Sequence, residues 1–462
     1  MTSTLRSASA TAPSRDASPA AWYALAVLTL VTLFGYVDRG ILVLLAEPIR
    51  LKLGLSDLQL GLLQGTGVAV FAALASYPLG WLADRFDRRI VLAGCLLFWS
   101  AAVLACGLAQ DFLQLLVAGA LVGAGEAGLV PIVYSLIPDL FRDKKRQLAN
   151  SVFALASTAS GALALALCGQ VIAGVESLRH LLPAGMQAMD GWRLSFFAAA
   201  LPAPVMMLLI ATIAVQRGRR PPARDLAAAE NPSTGAANSV THAHALVPYL
   251  KQHAQTFFCF HVGVGFAVFG FSAVGAWLAV IYMRVYGQTA AQVGAAMGTT
   301  ALVATALGFA ISVFGVRYFA GVGVKLNVRA LWTACLTTVA IDLALVFTTS
   351  AQQMYAIQGV HTVLLTAASM LYPTALQSLA PSHLRARVVA IQSVVGLAFA
   401  ALAPPAVGLL SDHLKHLPNG IIVAAVGVAV PAMLIAAALL FWCERGYERT
   451  VDAGKRMDEA LP

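Results

Sequence analysis

Four ionisable side chains sit inside long apolar stretches: Asp38 and Arg39 in the first, Glu126 in the fourth and Asp342 in the ninth. Charge is costly at membrane depth, so charge found there marks a pathway for ions or substrate. Adjacent residues on a helix do not face each other, so Arg39 needs a partner other than Asp38. At about 1.5 Å per residue, position 38 lies about 24 Å and position 126 about 16 Å from the same membrane face. An arginine side chain spans that difference if the two helices meet. Arg39–Glu126 is therefore a candidate pair, and it leaves Asp38 freer to exchange a proton. A carboxylate in a low-dielectric cavity holds its proton more tightly than one in water, as proton coupling requires. Asp38 and Glu126 are the candidate proton-coupling residues; the competing reading is a purely structural ion pair. His261 and His361 lie in the seventh and tenth apolar stretches as candidate cavity residues, against the competing reading of satisfied interior histidines. The role of Asp342 stays open.

A second constellation ends the second stretch: Gly80-Trp-Leu-Ala-Asp84-Arg85-Phe-Asp87-Arg88-Arg89. An aspartate at a helix end beside arginines can pair with the opening turn of a neighbouring helix and latch one conformation. The expected latch sets Asp84, Arg85, Arg88 and Arg89 against the region of Asp139 and Arg146. The matching stretch of the second half, 315–329, contains no Asp, so a latch there is weaker or absent. Gly123-Ala-Gly125-Glu-Ala-Gly128 fits the dinucleotide pattern, but that reading needs a preceding strand in a βαβ unit. Inside an apolar stretch the glycines more plausibly permit close helix packing. There is no HExxH, no GxSxG and no phosphate-binding loop. The six cysteines lie singly in apolar runs, as small hydrophobes. No metal and no cofactor is expected; a proton gradient would supply the driving force.

These residues need elements that carry them through a bilayer. The chain has 462 residues, 59% of them hydrophobic and 11% charged, against roughly 25% charged in a soluble domain. That balance excludes disorder, a nucleic-acid-binding face and a disulfide-stapled secreted domain. One helical span takes about 20 apolar residues, so the chain can hold about twelve. Strands are excluded because an isolated strand in lipid leaves its backbone unpaired. The expected organisation is a tail at 1–21, six spans within 22–214, a polar linker at 215–253, six spans within 254–443 and a tail at 444–462. Of 30 Lys and Arg, 23 fall in the tails and one set of loops and six in the other set. The positive-inside rule then puts both termini in the cytoplasm of a multi-pass protein of the cell (plasma or inner) membrane.

The halves echo each other. Gly54-Leu-Ser56-Asp-Leu-Gln59-Leu-Gly61 and Gly287-Gln-Thr289-Ala-Ala-Gln292-Val-Gly294 share G-x-[ST]-x-x-Q-x-G, 233 residues apart. Asp139-Leu-Phe with Arg146 and Ser378-Leu-Ala with Arg385 repeat at an offset of 239. Duplicated halves about a central site are a transporter architecture. The expected fold class is an all-α membrane protein, with twelve transmembrane helices in two pseudo-symmetric six-helix bundles.

The Gly80–Arg89 loop matches the G-x-L-A-D-R-x-x-R-R signature of the major facilitator superfamily. Val37-Asp38-Arg39, Gly123-Ala-Gly125-Glu126-Ala, Asp139-Leu-Phe141, Gly191-Trp192-Arg193-Leu-Ser-Phe196, Ala276-Trp277-Leu and Arg284-Val-Tyr286-Gly287 together resemble its Spinster branch. The resemblance covers nearly all of 22–443. It implies alternating access, a helix-1 aspartate as proton site and, among relatives, export of sphingolipid and lysophospholipid. Trp277, at the end of the seventh span, joins Arg39 and the two histidines as a candidate cavity residue. The anion:cation symporter branch, which takes up sugar acids, resembles the same Asp38-Arg39 and Gly80–Arg85 patterns. Both branches usually carry an Arg seven residues before the span-4 Glu; here that position is Gly119. Either Arg39 takes over, or the substrate is less anionic.

The expected function is a proton-coupled secondary transporter for an amphipathic lipid-like solute, acting as a monomer with its substrate and the bilayer as partners, and no nucleic acid. The alternative is an organic-anion/proton symporter. A polytopic membrane enzyme acting on lipid is a distant alternative, since the buried carboxylates lie deep and no metal spacing exists. The chain is not expected to be an enzyme.

Overall fold

The computed structural model describes residues 19–141, 143–213, 246–318 and 325–459. The expected tail up to residue 18, the linker over 214–245 and positions 319–324 of the degenerate second latch lie outside the described residues. Twelve helices among the described residues are long and apolar enough to span a membrane. They are α1 (Pro19–Leu53), α2 (Asp57–Arg85), α3 (Arg88–Leu108), α4 (Phe112–Leu140), α5 (Lys145–Leu181) and α6 (Gly191–Thr212). The second bundle holds α7 (Ala254–Tyr286), α8 (Ala290–Phe314), α9 (Lys325–Leu345), α10 (Ala351–Ser378), α11 (Arg385–His413) and α12 (Gly420–Glu459). No strand is found among the described residues.

The sequence starts and stops these helices by local chemistry. The two Gly-Ser/Thr-Gln echoes are the same device used twice. Gly54 and Gly287 take positive φ, 65° and 64°, which a residue with a Cβ adopts only with strain. Ser56 Oγ then accepts from Gln59 N at 3.1 Å while Gln59 Oε1 accepts from Ser56 N at 2.9 Å. Thr289 and Gln292 repeat the exchange at 3.3 and 3.0 Å. Each is a capping box that satisfies two orphan donors and opens the next span. Asp87, Asp111 and Ser350 cap α3, α4 and α10 in the simpler way.

Four spans are interrupted: α2 at Gly65, α4 at 127–128, α6 at 201–202 and α7 at 276–277. Contacts between the bundles run chiefly along α2 against α11 and α5 against α8. One large apolar core joins the first bundle to the near part of the second; a smaller one, around Phe260, Val328, Leu376 and Tyr447, fills the rest of the second bundle.

The termini of the described chain differ from expectation. Residues 246–252, expected as linker, are helical, and α12 continues through 444 to Glu459. Both extensions bury apolar surface. Tyr447 and Val451 are buried, and the Tyr249 hydroxyl donates to Leu379 O at 2.9 Å. Asp458 accepts from Ser382 N at 2.8 Å, tying the end of α12 to the approach to α11.

Candidate functional site: a buried carboxylate between two clasps

With twelve spans, Pro19 and Glu459 fall on one face, the terminal face; the other is the far face. Midway between them, α1 carries Asp38 and Arg39, α3 carries Trp99 and the break in α4 carries Glu126. Asp38 is 3% exposed. Its Oδ2 accepts from Trp99 Nε1 at 3.0 Å, and its Oδ1 has no hydrogen-bond partner. Glu126 is as deeply buried and accepts from Arg39 Nε; its other oxygen is unpartnered. The structure thus brings Arg39 to Glu126 and leaves Asp38 with one neutral donor. The Arg39 side chain keeps 51% of its surface exposed although it sits mid-span.

The glycines of the dinucleotide-like run make this geometry possible. A Cβ on Gly125 would lie 2.7 Å from Trp99 Cβ and 3.0 Å from the Trp99 backbone N. One on Gly123 would lie 2.8 Å from Val68 O. So α4 packs directly on α2 and α3, and Trp99 reaches Asp38. Gly125→Ala is expected to destabilise the protein by about 1–3 kcal/mol through overpacking. Gly80→Ala, with nothing within 4 Å of the added Cβ, is expected to leave stability unchanged or slightly raised. Thermal melts of the two purified variants check the contrast. At Gly119 an added Cβ would meet only Leu42, at 4.0 Å, so this position faces α1 one turn from Asp38.

The histidines do not join this site. His261 Nδ1 lies 2.5 Å from Gln392 Oε1 on α11, its ring stacked on Phe257. His361 faces Asp342. Trp277 is fully buried, and its Nε1 donates to Pro404 O at 3.2 Å. It braces the break in α7 against α11 rather than lining an open cavity.

The expected terminal-face latch is rearranged. Arg88, not Arg85 or Arg89, reaches Asp139 at 2.6 Å and Ser135 O at 2.7 Å. Arg89 pairs with Asp87 at 2.9 Å and donates to Ile213 O at 2.5 Å. The Arg85 guanidinium lies 4.2 Å over the Trp81 ring. Asp84 and Arg146 are exposed, and neither forms an ion pair among the described residues. Leu74, Tyr77 and Trp81, at the terminal end of α2, are exposed.

At the far face the bundles are clasped by residues that the sequence reading left unassigned. Arg284, at the end of α7, reaches Asp57 at 2.9 Å through two nitrogens and Glu47 at 2.8 Å. Ser411 Oγ donates to Asp57 Oδ2 at 2.7 Å. Asp412 on α11 accepts from the backbone N of Asp57 and Leu58, at 3.0 and 2.9 Å, and so caps the N-terminus of α2 from the opposite bundle. Below these, Gly61 and Gly65 admit the backbone of Pro404 and Ala401, and Gly169 admits Ala295. Thr66 Oγ1 donates to Ala401 O at 2.9 Å. No local signal in the sequence pairs them, because the contact from Arg284 to Asp57 crosses 227 residues of chain.

The Major Facilitator Superfamily model matches residues 28–395. An MFS-type efflux pump of Mycolicibacterium smegmatis is 27% identical over 431 residues, covering 91% of this chain and 92% of that protein. The Sphingosine-1-phosphate transporter SPNS2 of Mus musculus is 35% identical over 130 residues; the match spans 28% of this chain and 24% of the relative. A bacterial homologue of the human lysosomal transporter Spinster, inward-facing and unoccupied, superposes with a TM-score of 0.69 at 21% identity, over 96% of this chain and 99% of that one. A D-xylose–proton symporter superposes with a TM-score of 0.65 at 15% identity, over 90% and 97%. With the duplicated capping boxes, the two bundles and the Gly80–Arg89 loop already in view, the family match over most of the length settles the class: the chain, similar over part of its length to Spinster proteins, belongs to the Major Facilitator Superfamily and is a membrane transporter, not an enzyme.

Proposed function

We propose that the protein is a proton-coupled secondary transporter for an amphipathic, lipid-like solute of the lysophospholipid or sphingolipid class, working by alternating access. The observation that carries the reading is Asp38: a mid-span carboxylate, 3% exposed, with one oxygen free and its neighbouring cation engaged by Glu126. A buried carboxylate without a cation is stable there when protonated and must move or rehydrate when it ionises. That is the property a proton-driven switch uses. The lipid-like solute is supported by the SPNS2 similarity, and the export direction by the efflux pump that aligns over nearly the whole chain. The excess of Lys and Arg on the terminal-face loops supports placing that face in the cytoplasm of the cell membrane. In that orientation the described conformation is inward-facing. The protein acts as a monomer, with the site inside one chain. A proton gradient is the driving force, and no metal or cofactor takes part.

A second reading, an organic-anion/proton symporter, is favoured by one observation, the half-exposed side chain of Arg39 at mid-span. Purified protein in liposomes with a trapped pH dye separates the two. A pH change on adding lysophospholipid, absent with small sugar acids, is expected. A change with sugar acids alone would replace the lipid reading with the symporter one.

A further inference from the structure

We propose that Asp342 and His361 form a second proton-binding site, in the second bundle and separate from Asp38. It deepens the proton-coupled reading above. Asp342, on α9, is fully buried, and neither carboxylate oxygen has a hydrogen-bond partner. His361, on α10, brings Nε2 to 3.6 Å from Asp342 Oδ1, and that nitrogen is also unbonded. An unsatisfied carboxylate at membrane depth is retained at high cost and marks function by default.

The surroundings leave the pair to each other. No Lys or Arg forms an ion pair with Asp342 among the described residues. On α9, Lys325 and Arg329 pair with Glu448 and Glu444 of α12. The rest of α12, from 420 to 442, and the described side chains of α8, 290–314, hold no titratable group. On α7, the Phe271 ring covers His361 at a centroid distance of 5.0 Å, while His261 engages Gln392 and Tyr282 engages Gln358. On α10 itself, Tyr355 donates to Gln288; Tyr372 lies eleven residues, about three turns, beyond His361.

With no proton the pair carries a net charge of −1, and with two it carries +1. With one it is neutral overall, as carboxylic acid beside imidazole or as carboxylate beside imidazolium. Burial in low dielectric favours the neutral total. His361 keeps 7% of its surface exposed and Asp342 none, so in this proposal a proton reaches Asp342 by way of the imidazole. The site also has a mechanical connection. Gln358, one turn before His361, accepts from Tyr282 OH at 2.8 Å, and Tyr282 lies two residues from Arg284 of the far-face clasp. Proton occupancy here therefore bears on the α7 segment that closes the far face.

The test is infrared difference spectroscopy of the full-length protein titrated with acid, without substrate, reading the C=O band of protonated carboxyl groups. One component of that band is expected to vanish in Asp342→Asn and to persist in Asp38→Asn. His361→Gln is expected to move the midpoint of the same component by about one pH unit or more. An Asp342→Asn titration that superimposes on the wild type overturns the proposal, and so does a component indifferent to His361→Gln. If Asp342→Asn does not fold, ¹⁵N-histidine spectra of the wild type replace it, with His361 assigned by His361→Gln. A His361 resonance that keeps one protonation state across the pH range then overturns the shared proton. Because Asp38→Asn is read in the same spectra, failure at Asp38 and failure at Asp342 are separate results.

Discussion

Asp38→Asn is expected to abolish uphill transport while leaving solute exchange down a gradient intact. Asparagine keeps the size of the side chain and still offers an acceptor to Trp99 Nε1, which holds Asp38 at 3.0 Å. The packing around it, with Trp99 fully buried, has no reason to change. What is lost is the ability to bind and release a proton. One proton falling through about 100 mV supplies about 2.3 kcal/mol, enough to hold a solute ratio of about fifty. The wild type should therefore accumulate solute many-fold against its gradient. The variant should stop at a ratio of about one. Exchange of labelled for unlabelled solute across the same liposomes distinguishes a loss of coupling from a loss of transport. Glu126→Gln behaves differently in this account, because it also strands Arg39, so exchange as well as accumulation should fall.

Arg284→Ala is the second change with a large expected effect. It acts on the conformational equilibrium, not on the proton. Glu47 and Asp57 are 5% and 1% exposed, and Arg284 links both to the second bundle. Breaking a buried ion pair by removing one partner typically costs about 3–5 kcal/mol. Arg284 is a quarter exposed, and Arg50 and Ser411 remain beside the carboxylates. The discounted cost is about 2–3 kcal/mol. Opening the far face lets water reach both carboxylates, so the cost falls on the closed form alone. The ratio of far-open to far-closed molecules should rise by about thirty- to over a hundred-fold. Spin labels on Gln110→Cys and His416→Cys, exposed positions on opposite bundles, would read this as a longer distance distribution. All six native cysteines are buried, so the two labels stay specific. Distributions that superimpose with and without Arg284 would rule the clasp out as a determinant of the closed far face.

Much of this molecule is legible in its sequence, for a physical reason. Spans announce themselves because lipid demands long apolar helices, and the G-x-[ST]-x-x-Q-x-G echo stands out because it encodes a positive-φ turn and a capping box at equivalent places. The Arg39–Glu126 contact is legible because so few charges lie at that depth. The far-face clasp is not, because Arg284, Glu47, Asp57 and Asp412 sit at helix ends where charge is cheap, and only the docking of two bundles brings them together. The arrangement of Asp84, Arg85 and Arg88 is illegible for a related reason: three neighbouring charges at a helix end read alike in sequence, and only the packing of α3 against α4 sets Arg88 on Asp139. Trp277 reads as a cavity residue from its neighbours in sequence, yet the break in α7 turns it onto Pro404.

The central claim is that Asp38 exchanges a proton in each transport cycle. Its most direct test is the pH inside dye-loaded proteoliposomes after addition of lysophospholipid, compared between wild type and Asp38→Asn at matched protein density. The account predicts a pH change in the wild type and none in the variant. Proton movement in Asp38→Asn as large as in the wild type would contradict it.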